Sequence, residues 1–169
     1  LFAVLEMVVP WYLITEAGKH ISSGLSGLLV ATVPFFAVAI LAIFLKDRSA
    51  LKPVPLTGMV IGFFGVLALV GIDSLLGNVD PLWVGAVVFA SVGYAIAPIM
   101  ANVKIRHVPT SGVIGLSMAL VAILYAPAAL TELPAELSAE PTAKAWIALL
   151  MLGLVCSALA FVIFFELLK

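Results

Sequence analysis

HISSGLSGLLVATVPFFAVAILAIFL, residues 20–45, runs for 26 positions without one Asp, Glu, Lys or Arg. An α-helix rises ~1.5 Å per residue, so about 20 predominantly apolar residues cross a hydrocarbon core of roughly 30 Å. The stretch is long enough to span a bilayer. Four more, residues 53–72, 81–103, 107–131 and 145–165, are equally free of charge and hold 20 residues or more. A sixth, Leu1–Thr15, is apolar except for Glu6. A carboxylate inside a spanning helix is costly and marks a functional position.

Composition agrees with these windows. Hydrophobic residues make up 64% of the chain and charged residues 10%, with a mean hydropathy of +1.31. Soluble domains hold about 45–50% and about 25% respectively, so no soluble globular fold suits the chain. Its 169 residues divide by span into six helices and five short loops, an all-α polytopic membrane helical bundle. A net charge of −1 argues against nucleic acid or an acidic membrane surface as partner. The lone Cys156 lies in an apolar stretch, forms no internal disulfide and is expected as a small buried hydrophobe. The chain opens on Leu1-Phe2-Ala3 with no basic leader and closes on Phe165-Glu166-Leu167-Leu168-Lys169. We expect a fragment that lacks spans on one or both sides.

Orientation follows from the basic residues. Loops after the second and fourth spans carry Lys46, Arg48, Lys52, Lys104 and Arg106, and Lys169 follows the sixth, whereas the other loops hold Lys19 and Lys144. Six against two makes residues 46–52 and 104–107 cytoplasmic in a multi-pass protein of the cell membrane, and 17–21, 73–80 and 132–144 outward. Prolines punctuate the loops: Pro53 and Pro55 open the third span, Pro81 the fourth and Pro109 the fifth, where a helix start tolerates them. The longest connection, Glu132–Lys144, is expected as a solvated loop with a short helical turn. Inside the spans, Pro34, Pro98 and Pro127 free backbone carbonyls and kink helices. Gly58, Gly62 and Gly65 form a small-residue face, on which Gly62 is expected to admit a neighbouring backbone.

Offset by 150 residues, the first span falls on the sixth, with Glu16 on Glu166 and Lys19 on Lys169. Five crossings reverse direction, so the two spans would be related by an inverted repeat, an architecture of many secondary transporters.

A family resemblance rests on specific segments. Glu6-Met7-Val8-Val9-Pro10-Trp11-Tyr12-Leu13, with Ile21-Ser22-Ser23-Gly24-Leu25 and Leu28 to Pro34, resembles the third and fourth helices of the EamA-like drug/metabolite transporter superfamily. Gly58–Gly71 resembles the fifth helix and Gly93-Tyr94-Ala95-Ile96-Ala97-Pro98 the sixth. Tyr125-Ala126-Pro127 resembles the end of the seventh, and Val155 to Phe161 the eighth. The resemblance implies ten spans in two inverted five-helix repeats. Residues 1–72 would be the last three helices of the first repeat and 81–169 the first three of the second. Helices one, two, nine and ten are missing from the chain. The third family helix runs outward, which gives the same sidedness as the basic residues.

Catalytic patterns are absent from the sequence. His20 and His107 fall at opposite faces and cannot share a metal, with His107 expected near lipid headgroups beside Lys104 and Arg106. No phosphate loop, nucleophile elbow or metal-ligand spacing occurs. No enzyme, cofactor or metal is expected. Polar residues at span centres remain: Thr32 with Pro34, Ser91 with Tyr94, Ser117, and Cys156 with Ser157. Glu6 lies ten residues, about 15 Å, from Glu16, which is half a bilayer. Membrane hydroxyls commonly bond a carbonyl one turn back or a neighbouring helix, whereas a mid-membrane phenol needs a partner. The resemblance turns helices three, four, six and eight toward a central cavity, which selects Glu6, Trp11, Thr32, Ser91, Tyr94 and Ser157 over Ser117 as substrate-binding residues. The partners implied are a small-molecule substrate and the lipid bilayer, with oligomeric state left open. The expected function is export of a small metabolite or drug-like solute by alternating access. The competing class is a non-transporting helical scaffold or sensor.

Overall fold

A computed structural model of the chain describes residues 1–70, 80–105, 108, 110–138 and 141–167. Residues 73–79, Arg106, His107, Pro109, residues 139–140 and Lys169, to which sidedness, headgroup contact or a helix start was assigned above, lie outside the described residues. Among the described residues the regular structure is entirely helical. A π-helical turn, Val4–Val8, runs into α1 (Val9–Ala17), followed by α2 (Ser23–Val30), α3 (Val33–Phe44), α4 (Pro53–Val70) and α5 (Pro81–Met100). A second π turn, Ala101–Ile105, precedes α6 (Thr110–Ser138) and α7 (Ala143–Met151); a third, Leu152–Leu159, leads into α8 (Ala160–Leu167).

The starts of these helices are local chemistry. The Ser22 hydroxyl accepts from the Leu25 N–H at 3.2 Å, Asp80 from the Leu82 N–H at 2.9 Å, and Thr142 from the Ala145 N–H at 3.3 Å. Each satisfies a donor that the helix cannot, a contribution of about 1 kcal/mol. Pro53 and Pro81 open α4 and α5 as expected from their missing N–H. At the end of α3, Lys46 adopts φ 55°, and the Asp47 N–H reaches back to the Leu41 carbonyl at 3.1 Å. The Ser49 backbone N–H then holds the Asp47 carboxyl below the usual aspartate range.

Among the described residues, five helices are long and apolar enough to cross a membrane: Ser23–Phe44, Pro53–Val70, Pro81–Lys104, Gly112–Ala135 and Ala143–Ile163. The first apolar stretch is helical over residues 2–17, a rise of about 24 Å. A difference from expectation concerns the connection from Glu132. Its first half is helix, since α6 continues to Ser138 with Pro127 and Pro134 inside it. Thr131 and Ser138 donate to the carbonyls of Ala128 (2.9 Å) and Pro134 (2.7 Å), keeping hydroxyls paired along this exposed end.

Packing divides the chain into two compact units, Leu1–Ala101 and Asn102–Lys169. The boundary falls after α5, whereas the repeat implied by the family resemblance would break between residues 72 and 81. A repeat is a unit of connectivity and a compact unit one of contacts, so α5 can open one and complete the other. In the first unit, α5 is the common support for the π turn, α1, α2 and α3. Ala17, Ile21, Leu25 and Val87 form its buried centre, flanked by Ile14, Leu29, Val30, Trp83 and Val84. In the second unit, α6 packs on α8, and α7 and α8 adjoin the π turn between them.

Close backbone approach occurs at a glycine other than the one expected. A Cβ on Gly93 would lie 2.8 Å from the Leu5 carbonyl oxygen and 3.5 Å from Pro10 Cγ, whereas one on Gly58, Gly62 or Gly65 would meet nothing within 4 Å. Gly62 is exposed. The packing role assigned to it belongs to Gly93.

Candidate functional site

Pro10 organises the region around Glu6. It offers no N–H, so the carbonyls of Leu5 and Glu6 both lose a possible donor. The helix widens into a π turn, and the Val9 N–H bonds to the Val4 carbonyl. Leu5 is left with neither helical donor, since Val9 is engaged and Pro10 has none. Gly93 of α5 abuts that carbonyl, where a larger residue would collide with it. The Leu5 oxygen is thereby shielded by a bare Cα, a contact able to make a weak C–H···O interaction.

Glu6, the next residue, is buried at 9% exposure, and its Oε2 has no hydrogen-bond partner among the described residues. The basic residues of this unit, Lys19, Lys46, Arg48 and Lys52, are all exposed. Lys19 is paired with Glu16 at 2.7 Å. Ser26 presents a second buried oxygen, Oγ, without a partner among the described residues. Trp11 and Tyr94 are half-buried, Tyr94 immediately following Gly93 on α5.

Two of the sequence candidates converge on one atom. Thr32 Oγ1 and Ser91 Oγ both donate to the Leu29 carbonyl, Ser91 at 3.2 Å from α5. Ser91 is fully buried and also lies 2.9 Å from the Val87 carbonyl of its own helix. These hydroxyls are occupied by a break in the span between α2 and α3. Pro34 accordingly sits in the first turn of a new helix rather than at an interior kink. Ser157 belongs to the second unit, where it donates to the Leu152 carbonyl at 2.9 Å across the wide π turn. Its neighbour Cys156 is exposed, not buried as expected.

Two apolar hollows lie in the first unit. A crevice of about 70 Å³ is lined by Leu5, Val9, Pro10, Phe89, Ala90 and Gly93, among others. An open groove of about 350 Å³ is lined by Thr32, Phe35, Val60, Phe63 and Phe64. Phe35 and Phe63 meet edge to face with centroids 5.6 Å apart. Sequence reasoning missed these phenylalanines, because a lone Phe in an apolar span carries no distinguishing signal. It also missed Gly93 as a contact, although Gly93 stands in the segment that carried the family resemblance.

At the far end of α5, the His20 ring stacks on Trp83 with centroids 4.2 Å apart and planes within 4°. That arrangement is suited to the membrane–water interface, where amphipathic rings collect. Among the described residues, no three His, Cys, Asp or Glu side chains gather as a metal site would require. Of the sequence candidates, Thr32 lines the groove, and Glu6, Trp11 and Tyr94 line neither hollow. No family model, no curated protein and no solved structure matches this chain.

Proposed function

We propose that this chain is part of an EamA-like secondary transporter that exports a small metabolite or drug-like solute across the cytoplasmic membrane by alternating access. The observation that carries the reading is the Glu6 carboxyl, buried with one oxygen unpartnered among the described residues of an apolar helical bundle. A charged side chain at a helix centre costs at least ~2.5–3.5 kcal/mol on insertion scales, so an apolar residue there would stabilise the protein. Glu6 is kept for what a carboxyl does: it exchanges a proton, or it holds a cationic group of the solute. Trp11 and Tyr94 supply amphipathic rings nearby in sequence and on α5. Thr32 and Ser91 contribute through the helix break, and Ser157 through the second unit.

Reconstituted in proteoliposomes, the full-length protein should give saturable solute uptake or counterflow. A rate equal to lipid alone would reject transport in favour of a scaffold or sensor, a role that the hydroxyls engaged at Leu29 also suit. Glu6→Gln preserves shape and hydrogen bonding while deleting titration. It should flatten the pH profile of transport or weaken solute affinity, and an unchanged profile and affinity would remove Glu6 from the mechanism. Sidedness has its own test. With Cys156 replaced, single cysteines at Ser49 and Ser138 should label from opposite sides with an impermeant thiol reagent; same-side labelling would end the inverted-repeat reading.

A further inference from the structure

The span Ser23–Phe44 is broken at Ala31–Thr32 into halves of unequal burial. Leu25, Ser26 and Leu28 of α2 are buried, and no residue of α3 is. Both halves rest on α5. At the break, the Ala31 N–H bonds to Gly27 at 2.9 Å and closes α2, while the Thr32 N–H turns to Leu29 at 3.1 Å. The Phe36 N–H then bonds to Thr32 at 3.3 Å and starts α3. In a continuous helix Leu29 would accept from Val33, and Val30 would need the N–H that Pro34 lacks. Here the Leu29 oxygen takes the Thr32 N–H and two hydroxyls instead, Thr32 Oγ1 and Ser91 Oγ. A hydroxyl has one hydrogen to donate, and Ser91 has two carbonyls within reach, Leu29 and Val87.

We propose that Leu29, Thr32 and Ser91 form a two-position latch about which α3 swings. In the position seen in the structure, both hydroxyls hold the Leu29 carbonyl. In the straight position, the Val33 N–H takes that carbonyl, the Thr32 N–H returns to Leu28, and Ser91 donates to Val87 alone. Each position supplies a donor to Leu29, a requirement in a solvent that offers no water to a bare carbonyl. The Leu29 carbonyl thus keeps a donor in both arrangements, which favours a bistable element. The half that moves is α3, since it has no buried side chain to hold it. Its Phe35 walls the groove against Phe63 and Phe64, so the swing sets the groove's width. Ser91 and Thr32 thus act as positioning residues, whether or not the protein moves a solute.

The test is a distance across the hinge. Spin labels at Ser23 and Phe44, both exposed, are introduced with Cys156→Ala in the full-length protein in lipid nanodiscs. A straight helix places the two Cα atoms about 32 Å apart. Pulsed dipolar spectroscopy should give two populations, one near that value and one shorter. Ser91→Ala and Pro34→Ala should each deplete the shorter one. Thr32→Val, at a half-buried position that tolerates the change, should do so by a smaller amount even if Ser91→Ala fails to fold. A single distance in the parent protein, or distributions unchanged by Thr32→Val and Pro34→Ala, would overturn the latch.

Discussion

The spans built on α4 and α5 are near twins by hydropathy, with mean values of 2.0 and 1.9, and both contain glycine; yet 33% of the α5 window is buried and none of the α4 window. In water such apolar helices would compete equally for the interior. In hydrocarbon they do not, because lipid tails are as apolar as leucine and hydropathy ceases to rank positions. What distinguishes α5 is the face it presents. Val87, Ala90, Ser91, Ala95 and Ala97 are buried along it, with Gly93 against the Leu5 carbonyl. These are small residues and one hydroxyl that bonds across to another helix. The corresponding hydroxyl on α4, Thr57, donates to Val54 of its own helix at 2.9 Å. On α4, Val60, Ile61, Phe64 and Leu69 are exposed.

The contrast is easiest to break at the glycines. Gly93→Ala forces a Cβ against backbone that cannot rotate away, and should destabilise the protein by about 1–3 kcal/mol. Gly62→Ala meets open space and improves helix propensity, for a change between zero and about 1 kcal/mol of stabilisation. Reversible unfolding in mixed micelles or by steric trapping reads both signs. Equal losses would show that α4 is packed as closely as α5.

Smaller effects sharpen the same comparison through the hydroxyls. Ser91→Ala removes a bond between helices, for which about 0.6 kcal/mol is typical and about 1.7 the largest measured in a membrane bundle. Thr57→Val on α4 should fall within the error of the same unfolding measurement. Losses in the opposite order would mean that interhelical bonding does not set α5 apart. A last change concerns the turn that closes α3, where the local backbone alone is altered. Lys46→Gly relieves a left-handed non-glycine residue and should stabilise by up to about 1 kcal/mol, seen as a modest rise in thermal midpoint.

Much of the fold was legible residue by residue. Charge-free runs located the spans, and Pro53 and Pro81 located the starts of α4 and α5, since neither feature depends on a neighbour. Glu6 stood out in the sequence and is buried in the structure, and Ser91 and Thr32 stood out and bond the Leu29 carbonyl. A hydroxyl in a span announces that it needs an acceptor, and the sequence does not say whether that acceptor is a solute, its own helix or the next one.

The sequence by itself determined an all-helical chain with several segments fit to cross a membrane, because bilayer thickness and unpaired backbone groups leave few alternatives for long apolar runs. Tertiary structure alone decided that α5 rather than α4 is central, that Gly93 rather than Gly62 is the close contact, and that Thr32 and Ser91 meet on the Leu29 carbonyl. The physical reason is that helix formation in lipid is a local matter of hydrogen bonds and length, whereas helix–helix packing depends on which small face finds which backbone, a matching between segments far apart in the chain, as Leu29 and Ser91 are at 62 residues.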